Sequence, residues 1–558
     1  MTNRLQLFIF LLSLLLRMAI RSKFPDVQIP DTGLIEFLFA QNQTSSSQPI
    51  LIDATTNKTI TYGQLKDSVL RFAAGLQDKC DFRKGDILLL YSPNQIDYSI
   101  PLMGTIAAGG ITSPANPAYN VDELVHQLED TKSKVLIAHP SNLDRALAAA
   151  QRVGLPKDRV YVFGDVPVEG VLPYASELLG HRLVDIEHMS LQEARETVAY
   201  LAYSSGTTGK SKGVMTTHGN IIANVLQYDA IERPFINFAT ERILGVLPFF
   251  HMFGLTVILH QSVYWGIPVY VMPSFDLQAF CETVQQHKIT KACLVPPIIL
   301  LLAKHPLVLQ YDLSSLRLII SGAAPLSGDL IQEAKKRLTT TVIKQGYGLT
   351  ETSPVAVIEL TDRAMSGTIG HLVPNMTARI VDEDGKDVGI NERGELWLKG
   401  PNIMKAYFNN TKATAESIDA EGYFHTGDIA VLDERGVFAI VDRKKELIKY
   451  KGFQVPPAEL EAILLTSPIV ADCAVIGIYD EEKVTEIPRA YVVLKPDVPA
   501  TEATRKELEK FVADQVVHYK RIRSVVFIDA IPKSAAGKIL RRVLRDSALS
   551  EQKSKSKL

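Results

Sequence analysis

VAYLAYSSGTTGKSKGV, residues 198–214, runs from a strand-like apolar stretch, Val198 to Tyr203, into a loop rich in glycine and hydroxyls. From Ser204 to Val214 the loop holds three glycines, five hydroxyl side chains and two lysines. Glycine lets main chain come close to a ligand, and hydroxyls and main-chain N–H groups can meet phosphate oxygens. The lysines supply countercharge. Gly209-Lys210-Ser211 fits the end of the pattern G-x-x-x-x-G-K-[ST], but the first glycine of that pattern falls on Ser204, so this is not the loop of the P-loop NTPases.

Outward from this loop, short β-rich runs (Ile87 to Tyr91, Val135 to Ala138, Val269 to Met272, Leu316 to Ile320) alternate with amphipathic stretches such as Val121 to Asp130. The alternation predicts an α/β architecture with buried parallel strands. A chain of 558 residues implies two or more packed units, and 46% hydrophobic residues supply their cores. With a net charge of -2 and no basic stripe, nothing equips the chain to hold a polyanion, which excludes nucleic acid as a partner. Cys80, Cys281, Cys293 and Cys473 lie far apart with no metal-finger spacing and read as reduced structural thiols.

Five consecutive charges, Asp442 to Glu446, interrupt the apolar pattern, and a surface position between units is expected of them. Beyond them, strand-like runs Cys473 to Ile478 and Ala490 to Leu494, with helices near Pro457 to Leu465 and Glu502 to Gln515, predict a small α+β domain. The division expected is an apolar segment 1–23, a body 24–442, a smaller domain 443–548 and a tail 549–558. Leu5 to Leu16 are apolar but too few to span a bilayer, so stable membrane insertion is not expected of them; translation from Met18 would remove the stretch. The tail ends in Ser556-Lys557-Leu558, the tripeptide read by the peroxisomal import receptor, so the expected location is the peroxisome, with the cytoplasm or a membrane surface as alternatives.

S-S-G-T-T-G-x-x-K-G-V resembles the phosphate loop of the acyl-adenylate-forming superfamily, and companion motifs follow in order. Gln345-Gly346-Tyr347-Gly348-Leu349-Thr350-Glu351, Tyr423 to Asp428, Asp442 to Glu459 and Pro532 to Ile539 resemble its adenine, ribose, hinge and closing-lysine motifs. Leu447 to Val455 and Gly394 to Gly400 bring the likeness nearest to plant 4-coumarate:CoA ligases and their peroxisomal relatives. One departure is Lys210-Ser211, where that family usually reads Leu-Pro.

The resemblance implies a large adenylate-forming body of layered sheets and helices with a small mobile lid, hinged near Lys445. It implies ATP, Mg2+ and coenzyme A as cofactor and co-substrates, and a carboxylic acid made first into an acyl-adenylate and then into a thioester. ATP or AMP would be met by Ser204, Ser205, Gly206, Thr207, Thr208, Gly209, Lys212, Gln345, Gly346, Tyr347, Gly348, Thr350, Asp428, Arg443, Lys445 and Gln454, and the metal by Glu351. Lys538 would serve adenylation, Lys449 would line the nucleotide in the thioester-forming arrangement, and His251 would stand near the acid's carboxyl group. Lys451 and Gly452 would border the pantetheine tunnel; Phe250, Gly322, Ala323, Ala324, Pro354 and Val355 would wall the acyl pocket. Hydroxycinnamic, cinnamic, fatty and jasmonate-precursor acids all suit such a pocket. A luciferase, a carrier-linked adenylating unit and an inactive nucleotide-binding scaffold remain as alternatives.

Overall fold

The computed structural model describes residues 19–40, 43–204, 211–365, 367–451, 453–480, 485–534 and 537–555. Residues 1–18 of the expected segment 1–23 and the terminal Ser556-Lys557-Leu558 therefore lie outside the described residues, while Ile20–Arg21 pairs with Thr377–Val381 of the body.

Two large sheets form the body. The first has seven strands in the order Ala406–Tyr407, Lys212–Thr217, Val198–Ser204, Ile111–Ala115, Ile87–Tyr91, Val135–Ala138 and Val160–Val162. From Val198–Ser204 onward its neighbours run parallel, and Ile87–Tyr91 and Val135–Ala138 are buried throughout, as strands covered on both faces must be. The second sheet has nine strands; its parallel centre runs Val342–Gly348, Leu318–Ser321, Lys291–Leu294, Ile243–Gly245, Val269–Val271 and Pro49–Asp53. The amphipathic stretch predicted at 121 forms a helix, Val121–Thr131, started by a capping box between Asn120 and Glu123. A third, five-stranded antiparallel sheet includes Phe424–Leu432 and Phe438–Arg443, with Asp428 and Arg443 as cross-strand partners.

From residue 448 the chain builds separate cores. A hairpin, Ile448–Tyr450 with Phe453–Val455, precedes a three-stranded sheet of Val470–Asp480, Thr485–Leu494 and Ser524–Phe527, covered by helices Pro457–Thr466 and Glu502–Ala513. All four cysteines are buried and free. No helix among the described residues is long and apolar enough to cross a membrane.

The charge run departs from its expected surface position. Lys444 and Lys445 are exposed, but Asp442 and Glu446 are buried at 5% and 7% exposure. Burial is tolerable because partners distant in sequence compensate the charge: Asp442 accepts the N–H of Ala458 at 3.0 Å, and Glu446 pairs with Arg541.

The nine-stranded sheet contains a second buried charge group. Glu232, at the end of helix His218–Glu232, pairs with Lys344 and lies 3.4 Å from Lys291, each of the three at most 2% exposed. Lys344 also donates to Glu359 O at 3.0 Å and Thr361 Oγ1 at 2.9 Å, and the Lys291 ammonium lies 5.0 and 4.9 Å from the ring centroids of Tyr228 and Trp265. The two ammonium groups hold the Glu232 carboxyl below its usual range despite the burial that opposes this. Glu232→Gln would leave both ammonium groups without their shared counter-ion. A loss of about 3–5 kcal/mol is expected, read as a lower urea midpoint for the body, and replacing all three residues by apolar ones should recover most of it.

Candidate active site

Strand ends from the three body sheets and a turn from the smaller domain enclose one cavity of about 1060 Å³. Val198–Ser204 brings Ser204 to its wall, and Val342–Gly348 brings Gly346, Tyr347 and Gly348. Gly348 is a close-approach position: a Cβ there would overlap the carbonyl of Pro354, which also lines the cavity.

Beyond Gly348, Glu351 is buried and joins the two large sheets. Its Oε1 accepts Ser204 Oγ at 3.1 Å and Tyr407 OH at 2.8 Å, while the Lys212 ammonium sits 4.2 Å from the Tyr407 ring centroid. Among the described residues Glu351 Oε2 accepts no hydrogen bond, and no cluster of three His, Cys, Asp or Glu side chains could hold a metal alone. A single carboxylate edge among hydroxyls fits Mg2+, which keeps most of its shell as water and phosphate oxygen.

Asp428 is buried opposite. Tyr347 OH donates to its Oδ2 at 2.6 Å, and Arg443 Nε lies 3.6 Å from its Oδ1. Burial raises the Asp428 carboxyl above its ordinary value, with Arg443 and the Tyr347 hydroxyl pulling it back. A carboxylate at a cavity wall in this setting can accept from a diol. Beside it, Lys444 pairs with Glu395 at 2.9 Å, and Glu395 also accepts the N–H of Gly427 at 3.1 Å.

Lys538 comes from the smaller domain. The N–H of Ser534 donates to Lys538 O at 2.8 Å and that of Lys538 to Ser534 Oγ at 3.2 Å, closing a turn whose Gly537 has φ +75°. A Cβ on Gly537 would also come within 3.1 Å of Val295, a cavity residue of the body, so glycine serves both the turn and the packing. Burial and the nearby Arg443 lower the Lys538 ammonium to about 8, against the attraction of Glu446, Asp428 and Glu351. His251 lines the same cavity; burial, then Lys538, lowers it to about 4, so its ring is neutral near pH 7.

The cavity wall also includes an apolar arm of Leu247, Met252, Phe253, Val295, Ile320 and Ile358, together with Gly322, Ala323, Pro354 and Val355. Arg443, Lys445 and Lys449 also line the cavity, and Lys449 N–H donates to Glu486 Oε2 at 2.7 Å. Thr350 lines it as well.

Several expected residues stand elsewhere. Strand alternation turns the Gln345 side chain away, where it accepts the N–H of Leu326 and donates to Thr368 O. Ala324 leaves the wall because Ala323, at φ +68°, turns the chain there. Phe250 instead packs its ring 4.3 Å from that of His251. Gln454 is exposed and donates to Glu383 at 2.9 Å, and Lys451, at φ +47°, gives its N–H to Thr485; neither lines the cavity in this arrangement. Ser205, Gly206, Thr207, Thr208, Gly209 and Gly452 lie outside the described residues. Sequence reading missed Tyr407, which has no motif of its own and reaches Glu351 only through the pairing of Ala406–Tyr407 with Lys212–Thr217. It also missed Tyr228, Met252, Phe253, Val295 and Ile358, ordinary apolar residues whose convergence only the fold reveals.

Comparison with known proteins agrees with this geometry. The family described as AMP-binding enzyme matches residues 38–408, and AMP-binding enzyme C-terminal domain matches 459–538. The chain is 39% identical to the probable 4-coumarate–CoA ligase 1 of Dictyostelium discoideum, over 94% of this chain and 97% of that one. It is 38% identical to 4-coumarate–CoA ligase 3 of Arabidopsis thaliana, over 94% and 93%. Among solved structures, ATP-bound MatB from Rhodopseudomonas palustris superposes with a TM-score of 0.82 at 26% identity, covering 92% of this chain and 98% of that one. The o-succinylbenzoate coenzyme A synthetase of Bacillus subtilis, in complex with ATP and magnesium ion, does so at 0.76 and 26%, with the same coverage.

The Lys538 environment yields a direct measurement. Labelling of Lys538 by an amine-reactive reagent, followed by peptide mass spectrometry, should reach half its maximal rate near pH 8, and any rate that needs the ammonium should fall as pH rises through that value.

Proposed function

The chain belongs to the AMP-binding enzyme family and is an acid:CoA ligase, and we propose that its acid is elongated and apolar, of the hydroxycinnamic or cinnamic type. The observation that carries this reading is one cavity in which Lys538, neutral His251 and the buried carboxylates Glu351 and Asp428 stand at the head of an apolar arm. Medium- to long-chain fatty and jasmonate-precursor acids are the competing substrates for the same arm.

A carboxylate is a poor electrophile, since its charge repels nucleophiles and oxide leaves badly. Joining it to the α-phosphorus of ATP removes both faults, but requires two anions to meet. Ser204, Lys212 and the residues up to 209 are suited to the triphosphate, Tyr347, Asp428 and Arg443 to the nucleoside, and Thr350 to the phosphate side. Glu351 would hold magnesium, which when bound offsets charge on the phosphates. Lys538 places its ammonium between the acid's carboxylate and the α-phosphate, and His251, being neutral, orients the acid without adding charge. The apolar arm excludes water from the mixed anhydride.

The coenzyme A thiol must then reach the acyl carbon. Lys538, which lines the cavity, would stand in that approach, so on this reading the smaller domain turns near Lys445 and Lys449 takes up the nucleotide, with Lys451 and Gly452 bordering the thiol's path. We also propose import into the peroxisome, supported by Ser556-Lys557-Leu558 as receptor ligand.

Purified protein with Mg-ATP, CoA and a panel of cinnamic, coumaric, medium-chain, long-chain and jasmonate-precursor acids should release AMP and form a thioester, fastest with the arylpropenoic members. No AMP with any acid would sink the reading; light with luciferin, or adenylate without thioester, would favour a luciferase or a carrier-linked enzyme. Lys538→Ala should lower adenylation by about a hundredfold or more while still using preformed acyl-adenylate, and Lys449→Ala should do the reverse. Equal loss of both half-reactions in either variant would reject the turning domain.

A further inference from the structure

Glu446 stands one residue past Lys445, and its main-chain N–H donates to Arg443 O at 2.9 Å. Its carboxylate is buried and pairs with Nη1 of Arg541, three residues past Lys538. The rest of the Arg541 fork is fully used. Nη2 reaches both oxygens of Glu461 at 2.7 Å, and Nε donates to Val475 O at 3.2 Å. Asp442 is buried close by, its Oδ1 accepting the N–H of Arg443 at 2.7 Å and its Oδ2 that of Ala458 at 3.0 Å. Burial, partly offset by Arg541, raises the Asp442 carboxyl to about 6, so it too is charged at neutral pH.

Three buried carboxylates thus surround one guanidinium, more negative charge than Arg541 can compensate. A pair serving stability alone would gain nothing from such an excess, because buried charge is costly and apolar replacements are often as stable. The excess makes sense if a second cation is served. Arg443 is engaged by Asp428 at 3.6 Å, and among the carboxylates that attract Lys538, Glu446 exerts the strongest pull.

We propose that Glu446 is a positioning residue for Lys538: through Arg541 it ties the chain just past Lys445 to the turn that carries the lysine, so that hinge and lysine move as one lever, and its charge keeps that lysine a cation inside the cavity. The proposal rests on the acid-ligase reading for its kinetic consequences but not for its electrostatic one. Glu446→Gln keeps the shape and removes the charge. Reductive 13C-methylation, with the Lys538 signal assigned by its loss in Lys538→Arg, follows the titration directly and needs no acid substrate.

Wild type should titrate near pH 8 and Glu446→Gln roughly one unit lower. With 4-coumarate, ATP–pyrophosphate exchange should fall by about tenfold to a hundredfold, while thioester formation from preformed 4-coumaroyl-adenylate changes little. Should Glu446→Gln fail to fold by circular dichroism, Arg541→Lys keeps the charge but gives up the fork, and the same split between half-reactions is expected. An unchanged Lys538 titration in folded Glu446→Gln, or equal loss of both half-reactions in either variant, overturns the proposal. A wild type that makes no AMP with any acid overturns the function reading instead, and the titration then decides this one alone.

Discussion

An ammonium group held charged where water is scarce is the constraint around which this site is organised. For the proposed adenylation Lys538 has to stand charged at the cavity wall, where burial works against its charge. Only carboxylates placed around it can restore the balance, and they come from three parts of the fold. Glu351 follows the end of a strand of the nine-stranded sheet, Asp428 belongs to the antiparallel sheet, and Glu446 follows the hinge. All three raise the Lys538 ammonium against burial, so the arrangement of the smaller domain is itself part of the electrostatics. A value near 8 leaves the group mostly charged at neutral pH yet weakly held, which suits a cation that has to arrive and depart.

The same requirement explains why residues with no contact to substrate are charged and buried. In the proposed function Glu351 would face a metal-bearing triphosphate with one edge while the other is fixed, and Ser204 and Tyr407 fix it from the neighbouring sheet. Asp428 can present an acceptor to the nucleoside only if Tyr347 and Arg443 offset its desolvation. Behind the apolar arm, the Glu232 group ties helix to sheet beneath Tyr228, whose ring contacts Lys291 on one side while the residue closes the cavity on the other.

What could be read in the sequence was the part written locally. The Tyr347 and Asp428 motifs and the closing lysine, which the fold brings to one cavity, each lie within a few adjacent residues, and the strand and helix alternation sets the layers by period alone. The misreadings arose where a side chain's meaning depends on something far away. Gln345 lies inside a recognisable motif, but the two-residue period of its strand points it at Leu326 and Thr368. Asp442 and Glu446 look like surface charges until Arg541, 95 residues beyond Glu446, is folded against them. Tyr407 has no local signal, because its partner Glu351 lies 56 residues earlier and on another sheet. The acyl arm is built of common apolar residues, and only their convergence distinguishes them from the remainder of the core.

The two chemical steps make opposing demands that no fixed cavity can meet. Adenylation needs a cation beside the α-phosphate and little water; thioester formation needs that position vacated for a neutral, bulky nucleophile. On the proposed function, dividing the carboxylates between body and smaller domain would resolve the conflict without any change in the body. A turn of the smaller domain would carry Glu446 and Arg541 away with Lys538, so the cation would keep the counter-charge tied to its turn through Arg541. Glu351 and Asp428 would remain with the nucleotide, and Lys449, which already lines the same cavity, would meet the charge they present. The proposed turn would thereby exchange one lysine for another over carboxylates that stay in place, an exchange that a site made of a single rigid domain has no means to make.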